Sequence, residues 1–183
     1  RQGRTWTAPA GRALLMSLVL REWPVLLPLA TAVAAADVAG ADAAIKWPND
    51  VLLRGGKVAG ILVEARPQEG WAVLGIGVNV AVRAADLPGE LRDRAATLGL
   101  EPAAIEPTLA ALLVALGARL GEEPAVLLRA FRERDALLGR AVRWQRGEGI
   151  AAGVDDAGRL LVDRPDGTRA ALDAGEVHLG APS

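Results

Sequence analysis

The spacing of apolar residues changes twice along the chain, and the two changes together demand an α+β architecture. Residues 106–120 and 124–138 carry Leu, Val and Phe at helical intervals, as at Leu109, Leu112, Leu113 and Leu116, so two consecutive helices are expected. On either side the apolar runs are short and end at Gly, Pro or Asp. Residues 13–20 read as a buried strand, and the Ala-rich stretch 29–39 behind Pro28 as a helix. Segments 43–47 and 51–54 read as strands broken by Pro48-Asn49-Asp50. Arg54-Gly55-Gly56-Lys57 has the Gly-Gly signal of a tight hairpin, leading into a strand over 58–65. A strand over 71–80 follows, antiparallel to it if residues 67–70 form a hairpin loop, and then a polar, Pro-containing loop near 84–102. Beyond Gly139 come strands at 141–146, 149–154, 159–163, 168–172 and 176–179, joined by turns such as Asp155-Asp156-Ala157-Gly158 and Pro165-Asp166-Gly167. The expected fold is therefore an α+β domain over 1–138, with a mixed, largely antiparallel sheet, and a small β-barrel over 139–183.

Composition excludes several function classes. A chain of 183 residues with 51% hydrophobic content is long and apolar enough for one large domain or a domain with an appendage, and too apolar to be disordered. Its 22 acidic and 21 basic residues nearly cancel, so no basic field is available to hold nucleic acid. With no Cys there are no disulfides, thiol nucleophiles or Cys-ligated zinc. The single histidine, His178, cannot build a multi-His metal site and reads as a strand-end side chain. No apolar run approaches the roughly 20 residues of a membrane span and no signal peptide is visible, so a cytoplasmic enzyme is expected. The chain opens on Arg1 without an initiator Met, and a further N-terminal portion is expected upstream.

Scarcity points to the candidate chemistry. Of 21 basic side chains only Lys46 and Lys57 are lysines, and Asn49 and Asn79 are the only asparagines. Arg replaces a solvated surface Lys at little cost, but not a Lys that acts as a compact point charge. Lys46 ends an apolar strand in Ile45-Lys46-Trp47-Pro48-Asn49-Asp50, where Pro48 biases Trp47 to an extended conformation. A lysine so placed suits a carboxylate or phosphate gaining charge, a role preferred here over that of a strand-edge lysine before a turn. In Gly55-Gly56-Lys57-Val58-Ala59-Gly60-Ile61-Leu62-Val63-Glu64, Gly60 marks a close backbone approach, whereas Lys57 and Glu64 read equally well as solvated residues. In Gly75-Ile76-Gly77-Val78-Asn79-Val80 the glycines flatten one strand face and Asn79 offers the donor and acceptor that an adenine edge needs. Alone this run reads as a Gly-softened core strand; it lacks the third glycine and following helix of a dinucleotide fingerprint. Arg1, Gly3 and Arg4 ahead of Trp6 can form a phosphate-closing loop or a frayed basic terminus.

Taken in order, these segments resemble the biotin protein ligases. Arg-Gln-Gly-Arg-Thr-Trp looks like the end of that family's biotin loop, and Lys-Trp-Pro-Asn-Asp is its signature. Gly-Gly-Lys-Val-Ala-Gly-Ile-Leu-Val-Glu and Gly-Ile-Gly-Val-Asn-Val follow with family-like spacing. The resemblance implies a class II synthetase-like biotin/lipoate ligase fold with an SH3-like C-terminal domain. It also implies a reaction of two steps: biotin and ATP, with Mg²⁺, give biotinyl-5′-AMP, and a lysine of a biotin carboxyl carrier domain then takes the biotin. By this match Lys46 touches the biotin carboxylate and α-phosphate, and Arg1 belongs to the loop that orders over them. Trp47, Gly60 and Ile61 wall the biotin pocket, and Asn79 reads the adenine. Arg4, Trp6, Asn49, Asp50, Lys57, Glu64, Gly75 and Gly77 are further candidates by their motifs; a metal site is not assigned. A homodimer is expected from the resemblance, and no nucleic-acid or membrane partner. The family's Ser/Thr-Thr-Asn and Gln-x-x-Gly-Arg-Gly segments would lie before Arg1. Lipoate or octanoate ligation is the competing enzyme reading, and a non-catalytic biotin-binding module is the reading for a chain that truly begins at Arg1.

Overall fold

The structure is a computed structural model and describes residue 6, residues 8–173, residue 175 and residues 177–179. Strand β1 (Ala13–Leu20) is followed by helix α1 (Leu27–Ala39), then by β2 (Ala43–Lys46), β3 (Asp50–Leu53), β4 (Gly56–Arg66) and β5 (Trp71–Asn79). These strands form one sheet in the order β1-β5-β4-β3-β2, and every ladder in it is antiparallel. Among the described residues the sheet expected to be mixed has parallel pairing only in two isolated bridges, Ile45 with Asp135 and Lys57 with Ala95.

Each strand alternates between two faces, and the helices cover one of them. Leu14 on β1, Ile45 on β2, Val51 on β3, Ile61 on β4 and Leu74, Ile76 and Val78 on β5 are buried together against the helices. α1 is apolar all round, with Ala30, Ala32, Val33, Ala34 and Ala36 fully buried, which is the pattern of a core helix rather than a surface one. It begins two residues before the expected start, with Pro28 in its first turn, where a missing N–H costs nothing.

Between the sheet and the next helices the chain is more ordered than a polar loop. A short helix α2 (Gly89–Arg92) leads into an extended run that follows the ends of β4 and β5. Lys57 N–H donates to the Arg94 carbonyl at 2.7 Å, Ala96 N–H to that of Lys57 at 2.9 Å and Leu98 N–H to that of Asn79 at 2.9 Å. Gly56 lies so close to this run that a Cβ there would meet the Ala95 carbonyl oxygen at 2.9 Å. The β3–β4 hairpin turns on Arg54 and Gly55, both at positive φ, so the second glycine serves packing and not the turn.

α3 (Ile105–Leu120) and α4 (Pro124–Arg132) form the other layer. Asp37, near the end of α1, accepts hydrogen bonds from Arg119 of α3 and from Arg134, each at 2.8 Å. α4 stops at Arg132 and does not run to 138. There the chain pairs with β2 instead: Ile45 N–H donates to the Arg134 carbonyl at 2.6 Å and Ala136 N–H to that of Ile45 at 2.9 Å. Asp135 accepts from Leu137 N–H at 2.8 Å, which fixes the turn, and burial pushes its carboxyl above the usual carboxylate range. The continuous helical run Pro102–Leu120 has 19 residues and a mean hydropathy of 1.5, enough by length and composition to cross a bilayer. In this fold it packs along α1, burying Thr108, Leu112 and Leu116.

The C-terminal strands β6 (Ala141–Trp144), β7 (Gly147–Val154), β8 (Leu160–Asp163), β9 (Arg169–Leu172) and β10 (His178–Leu179) form a second antiparallel sheet in the order β10-β6-β7-β8-β9. Among the described residues no ladder joins β9 to β10, so what is seen of the expected barrel is a five-stranded sheet. Its turn at Asp155–Arg159 docks on the first layer. Trp47 Nε1 donates to the Gly158 carbonyl at 3.0 Å, and a Cβ on Gly158 would meet Leu26 at 2.8 Å. Arg132 donates to the Val154 carbonyl at 3.0 Å and pairs with Asp156 at 3.0 Å. Buried side chains from both sheets belong to one continuous core.

Candidate active site

The uncovered face of the first sheet carries a single row of residues across all five strands. Lys46 is opposite Asp50, Asp50 opposite Gly60, Gly60 opposite Gly77, and Gly77 opposite Leu15. Directly opposed residues of an antiparallel pair project to the same side. The row therefore starts with an ammonium and a carboxylate, continues over two positions without side chains, and ends on Leu15, which is 63% exposed. With strands about 4.8 Å apart, the strip from Asp50 to Leu15 spans roughly 14 Å. Such a floor accepts a thin ligand lying flat on the backbone, with any anionic group at the Lys46 end.

An aromatic ring lies on the glycines. A Cβ at Gly60 would meet the Trp6 indole at 2.7 Å, and one at Gly77 would meet it at 2.9 Å. Trp6 Nε1 is buried and has no hydrogen-bond partner among the described residues. Lys57 Nζ stands 5.5 Å from the Trp6 ring centroid and 2.5 Å from Asp50 Oδ1. A β-bulge brings it there: the register slips between Val51 and Leu52, so Lys57 and not Val58 opposes Leu52, and Val58 is fully buried. Lys46 is partly buried and has neither an ion pair nor a side-chain hydrogen bond among the described residues.

The chain matches the model of the biotin/lipoate A/B protein ligase family over residues 1–80 and that of the biotin protein ligase C-terminal domain over residues 137–180. It is 37% identical to a biotin–[acetyl-CoA-carboxylase] ligase of Mycobacterium tuberculosis, covering 98% of this chain and 74% of that one. It is 35% identical to the ligase of the same name from Paracoccus denitrificans, covering 98% and 85%. The chain belongs to the biotin protein ligase family. Among solved structures, the biotin protein ligase of Aquifex aeolicus in complex with biotin and ATP superposes with a TM-score of 0.83 at 25% identity, over 98% of this chain and 83% of that one.

Within this biotin ligase framework the candidate residues separate clearly. Lys46, Asp50, Lys57, Gly60, Gly77 and Trp6 come together on the open face. Trp47 and Ile61, expected beside Gly60 in a pocket wall, are 1% and 4% exposed and face the core. Strand alternation sends each to the side opposite its neighbour, and the Trp47 N–H is committed to Gly158. Asn79 is 5% exposed, and its amide donates to the carbonyls of Ala96 at 2.9 Å and Lys57 at 3.4 Å. Both donors are thus used by the backbone, so the donor-plus-acceptor reading of an adenine edge is corrected; only its acceptor oxygen is left.

Asn49 is likewise structural, giving its amide to the Ile61 carbonyl at 2.6 Å while Ile61 N–H returns a bond to the Asn49 carbonyl at 2.9 Å. Glu64 is exposed and lies four residues beyond Gly60, about 13 Å along β4, outside the row. At Gly75 a Cβ would reach only Leu62, at 3.7 Å, so no close approach requires that glycine. Arg1 and Arg4 lie outside the described residues. Leu15 was not singled out by sequence; the period-2 pattern of residues 13–20 carries the signal, since Leu15, Ser17 and Val19 share one face.

A valine at Gly77 tests the floor. Gly77→Val is expected to displace the Trp6 indole that lies over it while leaving the core face of the sheet unchanged, and to weaken ligand retention about tenfold or more through the raised floor. Biotin and nucleotide affinities by calorimetry check it; unchanged values would show that nothing lies on this strip.

Proposed function

We propose that this chain activates biotin with ATP to biotinyl-5′-AMP and transfers the biotin to one lysine of a biotin carboxyl carrier domain. The observation that carries the reading is the Lys46 ammonium, unpaired among the described residues, at the end of a glycine-floored row. In the first step a biotin carboxylate oxygen attacks the α-phosphorus of ATP, and the bond to pyrophosphate breaks. Two anions converge there, and a fixed positive charge stabilises the transition state more than the separated reactants. Lys46 supplies that charge, with Arg1 joining it from the N-terminal loop. The carrier amine then attacks the anhydride carbonyl and AMP leaves, which is why no Cys or Ser nucleophile is needed here.

In this reading Trp6, Gly60 and Gly77 form the surface on which the flat parts of the substrates lie, and Asn79 offers its free oxygen to the nucleotide. Among the described residues no three His, Cys, Asp or Glu side chains gather, and Mg²⁺ comes bound to the phosphates of ATP as part of the substrate. Residues 1–138 form the catalytic domain, and residues 139–183 form an SH3-like domain. The same reading makes the protein a cytoplasmic homodimer.

The test uses the full-length protein with biotin, ATP and a carrier domain. Biotin-dependent exchange of pyrophosphate into ATP, followed by biotin on a single carrier lysine, is the expected result. Lipoyl transfer without biotin transfer would reassign the substrate, and biotin binding without pyrophosphate release would reduce the chain to a binding module.

A further inference from the structure

The only two lysines of the chain face the same carboxylate, and only one of them is bonded to it. Lys46 and Asp50 are opposed in the β2–β3 ladder, so their Cβ atoms stand about 5 Å apart and the Lys46 ammonium has the reach to close on Asp50. It does not: Asp50 Oδ1 is held by Lys57 Nζ at 2.5 Å, across the sheet from the other side. Three features put Lys57 there. The bulge turns it to the open face, its stem runs over the side-chain-free Gly60, and its ammonium sits over the Trp6 ring. The Lys57 and Asp50 side chains are 39% and 24% exposed, and a pair that solvated adds little to stability. A pair of this strength is a poor reason to keep a lysine in a chain that otherwise uses arginine.

We infer that Lys57 is a positioning residue: by occupying Asp50 it keeps the neighbouring Lys46 ammonium free for an anionic substrate group. Remove the Lys57 ammonium, and Lys46, the cation the substrate needs, is opposite Asp50 in the ladder to take its place. The inference rests on the proposed ligase reading for what Lys46 binds, but the exchange of partners can be observed without turnover.

The experiment compares the full-length wild type with Lys57→Met and Lys57→Met/Asp50→Asn. Met keeps the apolar stem over Gly60 and Trp6 and deletes only the charge. Lys57→Met should raise the KM for biotin in pyrophosphate exchange about tenfold, the loss of one charged hydrogen bond. Adding Asp50→Asn should recover most of that loss, because no carboxylate remains to capture Lys46. A double variant as weak as Lys57→Met would overturn the inference, since Lys57 would then act on substrate or fold directly.

Lysine ammonium NMR supplies the second reading, with the Lys46 and Lys57 signals assigned by substitution. In Lys57→Met the Lys46 Nζ should gain a through-hydrogen-bond coupling to the Asp50 carboxyl carbon that the wild type lacks. Its absence in the variant would sink the idea even if activity fell. A wild type without biotin-dependent exchange would instead remove the ligase reading, and the NMR result would still decide whether Lys57 frees Lys46.

Discussion

Replacing Lys46 with Ala is expected to slow biotin-dependent pyrophosphate exchange by 10²–10³, about 3–4 kcal/mol of lost transition-state stabilisation. The side chain is partly buried yet bonded to nothing among the described residues, so its removal orphans no partner. Stability should stay within about 0.5 kcal/mol of wild type, as for other substitutions that break no packing or hydrogen bond. The two measurements together are diagnostic: a large kinetic loss with an unmoved unfolding midpoint identifies a group kept for the substrate. Lys46→Arg should recover little, because a planar five-donor fork does not replace a compact ammonium at the end of a narrow row. Wild-type exchange in Lys46→Ala would refute the assignment. An equal fall in stability and rate would make Lys46 a structural residue instead.

What sequence could reveal here depended on how local the cause was. The strand Ala13–Leu20, the hairpin at Arg54 and Gly55 and the helix Ile105–Leu120 follow from turn chemistry and periodicity within a few residues. Gly60 and Gly77 were legible as flat places in strands. That they are neighbours under one indole depends on the β4–β5 register, which sequence does not print. The end of α4 was not legible because its apolar periodicity continues past Arg132, while the chain is captured by Ile45, far away in sequence. Lys57 had only its motif to recommend it. Its direction depends on one extra residue in a ladder, and a bulge leaves almost no compositional trace. Asn79 shows the opposite error: its chemistry suited an adenine, but the backbone carbonyls of Ala96 and Lys57 claimed its donors first.

Trp47→Ala should give the largest stability loss of any single change proposed for this chain, about 3–5 kcal/mol. The indole is 1% exposed and its N–H reaches the Gly158 carbonyl, 111 residues away, at 3.0 Å. Its loss leaves a cavity between the two sheets and an unsatisfied buried carbonyl at the docked turn. Trp47→Phe separates these terms, keeping most of the ring and losing only the hydrogen bond, at about 1–3 kcal/mol. Because the 155–159 turn holds the second sheet against the first, Trp47→Ala should also split denaturant unfolding into two transitions, the C-terminal strands melting first. Followed by exchange protection on β7 and β8, a single shared transition in the variant would show that Arg132 and the remaining core suffice to couple the sheets. The same variants decide which face Trp47 serves. If it only holds the junction, Trp47→Phe keeps the wild-type KM for biotin at temperatures where it is folded. If it walls the pocket, as the signature motif alone suggests, KM rises in Trp47→Phe even at temperatures where the variant is folded.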